Sequence, residues 1–138
     1  MSLRAGKRRR AREIALQILF ALEGSLDAGA EEMEGHFQNF KVAAPYRDFA
    51  SRLIRGVLEN RREIDALIEK ACEHWKLSRL AAVDRNVMRI AVFELFHTSD
   101  VPMEVVLDEA IEIAKRFGSE ESGIFVNGVL DRIQKERS

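Results

Sequence analysis

Six of the first twelve residues are basic (Arg4, Lys7, Arg8, Arg9, Arg10 and Arg12), and the first acid is Glu13. Cationic side chains at that density do one kind of chemistry well. They neutralise a polyanion, releasing a condensed counterion for each phosphate paired. The 138-residue chain has a formal net charge of −1, from 22 Lys+Arg against 23 Asp+Glu. Without the six cations, 16 basic residues face 23 acidic ones, so the body of the chain is near −7. Positive charge is therefore segregated at one end. A solvated tail is the plain alternative reading of the same run.

The other residue types that could do chemistry are sparse. Cys72 and His74 stand two apart on an expected helix and so point in different directions. Without a second cysteine pair or a histidine cluster, no zinc site is expected. His36 and His97 are isolated and suit surface or capping roles. Cys72 has no base placed near it and reads as a buried packing thiol. Asp108, Glu109 and Glu112 read as a solvated helix face. Neither a Walker phosphate loop nor GxGxxG after a strand is present. The expectation is no enzyme, no cofactor and no metal. One cysteine permits no intramolecular disulfide, which suits a reducing cytoplasm. No apolar run approaches the roughly 20 residues that span a bilayer, and the start lacks an apolar signal core.

The elements that must position these residues are helical. With 46% hydrophobic and 33% charged residues, the composition is that of a globular protein. Its length suits one domain with its own core. Ala11, Ile14, Ala15, Ile18, Leu19 and Leu22 recur at three- and four-residue spacing, predicting a helix from Lys7 to Leu22 that Gly24 would end. Gly6 and charge repulsion are expected to leave the first six or so residues unordered. Residues 25–31 read as a loop. Met33, Phe37 and Phe40 mark a short helix before a break at Ala44-Pro45. Tyr46, Phe49, Leu53 and Val57 mark the next, from Tyr46 to about Glu59. Asn60 with Glu63 resembles a capping box opening a helix that carries Ile64, Leu67, Ile68 and Ala71.

Residues 78–82 read as a connector or a single turn. From Val83 to Phe96 the chain is apolar on more than one face, as a helix at the centre of a bundle should be. A helix from Met103 to Phe117 follows, burying Val106, Ala110, Ile113, Ala114 and Phe117, with Gly118 as its carboxyl-terminal cap. Ser119 can cap the last helix, whose core face is Phe125 or Val126 with Val129, Leu130 and Ile133. Gly128 inside that helix reads as a close helix–helix approach, with ligand contact as the alternative. The class is all-α, a compact single domain of about seven helices over residues 1–138, with a basic arm at about 1–12 and no repeat.

The second half runs Val83-Asp84-Arg85-Asn86-Val87-Met88-Arg89-Ile90-Ala91-Val92-Phe93-Glu94-Leu95, then Asp100-Val101-Pro102. It continues Asp108-Glu109-Ala110-Ile111-Glu112-Ile113-Ala114-Lys115-Arg116-Phe117-Gly118 and Phe125-Val126-Asn127-Gly128-Val129-Leu130-Asp131. With the opening Arg8-Arg9-Arg10-Ala11-Arg12-Glu13, these motifs resemble the NusB family of transcription antitermination factors. The likeness covers essentially the whole chain except about residues 25–60, where no motif matches.

That resemblance implies a seven-helix bundle binding the single-stranded boxA element of ribosomal-RNA leader transcripts. It also implies a partner, NusE, which is a protein of the small ribosomal subunit, and a role helping RNA polymerase pass terminators. The basic arm would contact phosphates. Phe117, Glu121 and Phe125 would lie near the RNA on either side of Gly118, although both rings also fit the core period. The family often has Asp where Glu121 stands. The Val83–Phe96 helix would carry the NusE surface, with Asp84 as a capping acid, a partner for a NusE arginine, or both. Arg85, Arg89 and Glu94 are expected on or near the same exposed side. Two other readings stay open. One is a non-catalytic interaction bundle, such as a homodimer in which the basic tract docks on an acidic surface. The other is the NusB-like domain of a ribosomal-RNA cytosine methyltransferase, although no cofactor-binding strands follow Ser138.

Overall fold

In the computed structural model, which describes residues 3–23, 30–73 and 75–137, helical periodicity becomes seven α-helices among the described residues, with a 3-10 turn at Leu77–Arg79. No strand occurs among the described residues. The chain resolves into two compact units, residues 1–59 and 60–138.

The first unit holds α1 (Leu3–Ala21), α2 (Ala30–Asn39) and α3 (Ala44–Glu59). α1 buries Ala11, Ile14, Ala15, Ile18 and Leu19, and it packs chiefly on α3 through Ala50, Leu53, Ile54 and Val57. α1 starts four residues earlier than the sequence predicts, so Gly6 lies within it and the expected unordered lead is helical from Leu3. Gly24 and most of the expected 25–31 loop lie outside the described residues.

α2 ends sooner than the apolar spacing predicts. The Val42 N–H donates to the Phe37 carbonyl (3.0 Å) and the Lys41 N–H to that of Gln38 (3.1 Å). Lys41 has φ 51. This is a Schellman ending with lysine, rather than glycine, in the left-handed position and with Phe37 and Val42 both buried. Phe40 is left 47% exposed, its ring 6.1 Å from that of His36. Pro45 opens α3 instead of breaking the chain, because the first turn of a helix has no use for its missing N–H.

The second unit holds α4 (Arg61–Ala71), the 3-10 turn Leu77–Arg79, α5 (Ala82–His97), α6 (Met103–Phe117) and α7 (Glu120–Arg137). α5 is the centre: it packs against α4, α6 and α7, and every residue from Asn86 to Leu95 is buried. Asn60 precedes α4, but its side chain makes no cap hydrogen bond, so the expected capping box does not form. Glu63 instead lies 3.9 Å from His97, whose ring stacks on Phe93 at 5.5 Å. The expected Ser119 cap is present, with its Oγ accepting the Ser122 N–H at 3.2 Å. No described helix is long and apolar enough to cross a membrane.

Gly118 caps α6 as expected, whereas Gly128 departs from its expected close approach. Gly118 ends α6 with φ −112, so it is not there for a left-handed backbone. It is needed for space: a Cβ would stand 2.5 Å from Ser122 Oγ and 2.8 Å from the Ala114 carbonyl oxygen. A Cβ on Gly128 would meet nothing within 4 Å, so no helix approaches it closely. Glu109 is also a correction, being only 7% exposed, while Asp108 and Glu112 do face solvent.

Candidate functional site

The amino-terminal cations ride on the first turns of α1. Lys7, Arg9 and Arg10 are exposed and Arg8 is half-buried. Successive residues on a helix step about 100°, so these four fan around the axis instead of forming a stripe. Arg8 lies over the Phe49 ring at 4.9 Å, and Arg10 is 3.4 Å from Glu13. Arg12 departs from expectation. It is 3% exposed, its guanidinium 5.3 Å from the centre of that same Phe49 ring. A planar cation over an aromatic face is well held, so Arg12 is a packing residue and not part of the exposed set. The side chain of Arg4 lies outside the described residues.

The α6–α7 turn belongs to the other unit. It carries Phe117 at the end of α6 and Glu121 and Phe125 on successive turns of α7. Glu121 is exposed, and both rings are half-buried. The i, i+4 spacing puts Glu121 and Phe125 on one face of α7. The Arg116 guanidinium stands 5.8 Å from the Phe117 ring centre. The turn is tight because Gly118 admits Ser122 against it, and Lys115 lies across Gly123, with its Cγ 2.6 Å from where a Cβ would be. This arrangement offers two half-exposed rings, a guanidinium plane and one carboxylate.

The α5 residues divide. Asp84 sits in the first turn of α5, where a carboxylate complements the helix dipole, and is 9% exposed. No donor among the described residues reaches its Oδ1. An unsatisfied buried carboxylate oxygen is costly and asks for a cation. Of the other three, expected on or near an exposed side, Arg85 is half-buried while Arg89 and Glu94 are corrected to buried. Arg85 Nη1 donates to the carbonyls of Leu80 (2.7 Å) and Leu77 (3.1 Å), tying the 3-10 turn to α5. Arg89 is 3% exposed and forks onto Asp65, Nε to Oδ1 at 2.8 Å and Nη2 to Oδ2 at 3.1 Å. Its Nη1 donates to Asn86 Oδ1 at 3.0 Å. Glu94 is 2% exposed. Arg89 and Glu94 are both buried, and Arg89 joins α5 to α4 through Asp65.

Trp75 was not singled out by the sequence, yet it is 57% exposed, beside the carboxyl end of α4. The available signal was a tryptophan lying off every apolar stripe, in the gap between two helical patterns. Phe49, which orders Arg8 and Arg12, was read only as core. Cys72 is buried just past α4 rather than on it, and burial raises its thiol pKa, opposed by the Arg132 cation. His74 lies outside the described residues. No group of metal-binding side chains occurs among the described residues.

A model of the NusB family matches residues 9–135. A protein named transcription antitermination protein NusB from Desulfatibacillum aliphaticivorans is 48% identical over 128 residues, covering 93% of this chain and 90% of that one. One of the same name from Anaeromyxobacter dehalogenans is 47% identical over 92% and 89% of the two chains. Among solved structures, T. maritima NusB superposes with TM-score 0.80 at 47% identity, over 94% of this chain and 91% of that one. A structure described as antitermination factors NusB and NusE in complex with dsRNA superposes with TM-score 0.82 at 27% identity, over 98% and 99%. The relatives are named as antitermination proteins and not as enzymes. The helical fold, the basic first turns of α1 and the motifs of α5 to α7 are accounted for together: this chain belongs to the NusB family.

Proposed function

We propose that this protein is a transcription antitermination factor that binds the boxA element of ribosomal-RNA leader transcripts together with NusE. In that role it would act in the cytoplasm, within the antitermination complex on RNA polymerase, and aid transcription of ribosomal-RNA operons. The observation that carries the reading is the cationic run Lys7 to Arg10, exposed except for the half-buried Arg8, in a chain of this family. Lys7, Arg8, Arg9 and Arg10 pair with phosphates. Phe117, Glu121 and Phe125 meet bases and sugar edges. Asp84, whose Oδ1 lacks a donor, receives a cation from the protein partner.

The NusB relative solved with NusE and dsRNA supports an RNA and NusE partnership. Preference for an unpaired strand rests on the half-exposed rings, since stacking needs base faces that a duplex hides. With about four phosphates neutralised, the slope of log affinity against log salt on a single strand should be about −2.8. Replacing Arg8, Arg9 and Arg10 together by alanine should leave about −0.7. Fluorescence anisotropy of a labelled boxA strand across ionic strength reads both values. An unchanged slope in the triple variant would remove the α1 cations from the interface.

A further inference from the structure

Between the carboxyl end of α4 and α7 lies an open groove of about 370 Å³, lined among others by Cys72, Trp75, Phe125, Gly128 and Arg132. Its volume falls in the roughly 300–1,000 Å³ range of small-molecule sites. Trp75 is exposed, where a residue of that size ordinarily buries most of its surface. Arg132 Nη1 donates to the Ala71 carbonyl at 2.6 Å and lies 3.9 Å from Glu73, which fixes the guanidinium at the rim with half its side chain exposed. Gly128 is the third observation. Glycine weakens a helix interior, and here no neighbouring atom requires it. Its lack of a side chain leaves the floor of the groove open along α7.

We propose that this groove seats one unpaired nucleobase of the bound RNA, stacked on Trp75 and Phe125, with the adjoining phosphate on Arg132. The inference rests on the RNA-binding reading above and extends it from Phe125 to a subsite built by α4 and α7. Flat aromatic walls with a guanidinium at the mouth complement a planar ring joined to an anion. An aliphatic side chain of a protein segment would match neither the ring faces nor the guanidinium N–H groups left over from Ala71 and Glu73.

Trp75 is the only tryptophan, so it reports its own contact. A short single-stranded boxA RNA, labelled for anisotropy, is titrated into the protein while indole emission is recorded. Stacking should quench Trp75 in step with saturation. Trp75→Ala and Gly128→Leu should each weaken binding at least about fivefold, the loss of one stacked base. Trp75→Phe should keep most of the affinity. Leucine at 128 favours the helix, and a thermal melt checks that each variant folds. Binding without quenching, and at full strength in Gly128→Leu, would overturn the subsite while leaving the RNA-binding reading intact. Quenching by NusE alone and not by RNA would assign the groove to the protein partner and overturn the subsite. No binding at all would sink both.

Discussion

Arg89 and Asp65 offer a direct test of whether α5 uses its arginines for docking or for holding the fold. The guanidinium places two of its nitrogens on the Asp65 carboxylate, at 2.8 and 3.1 Å, and a third on Asn86 at 3.0 Å. Its side chain is 4% exposed and that of Asp65 is 21% exposed. Asp65→Ala would remove both carboxylate oxygens that this buried guanidinium grips, and breaking a buried pair from one side typically costs about 3–5 kcal/mol. Asp65 is one-fifth open to water, which puts the expected loss at the low end, about 3 kcal/mol. For a chain of this size that lowers Tm by roughly 10 °C. The double variant Asp65→Leu, Arg89→Met should regain most of the loss, because it removes the cation together with the carboxylate that it grips. Urea unfolding followed by circular dichroism measures each free energy. A loss below about 1 kcal/mol in Asp65→Ala, with NusE binding weakened instead, would refute the structural role and restore Arg89 to the partner surface.

Two glycines should respond to alanine with opposite signs. Gly118→Ala puts a Cβ 2.8 Å from a backbone oxygen that cannot move cheaply, so stability should fall by about 1–3 kcal/mol. Gly128→Ala meets nothing and gains helix propensity, so stability should rise by up to about 1 kcal/mol. Thermal melts of the pair decide this, and a shared sign would contradict the geometry. Cys72 gives a pH test. Burial raises its thiol above the ordinary 9.0, so the native state holds the proton more tightly than the unfolded chain. Its contribution to stability is full below 9.0 and is lost as pH rises through the raised value. Urea unfolding should therefore weaken more steeply above that pH in the parent than in Cys72→Ala; parallel curves would argue against a buried thiol.

The helices were legible because a buried stripe leaves its period in the chain. α6 runs from Met103 to Phe117 just as its apolar spacing predicts, and α5 is buried along almost its whole length as its composition demands. What the sequence hid is set by partners far along the chain or by backbone geometry. Arg12 and Arg89 count as surface charges by type, yet each is buried by a neighbour that periodicity does not name: Phe49, and Asp65, which is 24 residues away. The end of α2 depends on a left-handed lysine that no propensity would choose. Asn60 and Glu63 have the right types for a capping box, but Glu63 turns towards His97. For the candidate site, the exposed cations were legible as a charge run. The exposure of Trp75 and the open space at Gly128 were not, since both depend on what is missing around them.

The most direct measurement is competition between a boxA strand and a shuffled strand of the same composition for this protein, with and without NusE, at several ionic strengths. Modest affinity is expected for the protein alone and tighter, more selective binding with NusE, with discrimination persisting as salt weakens both strands. Equal affinity for the two strands at every ionic strength, even with NusE present, would contradict that expectation.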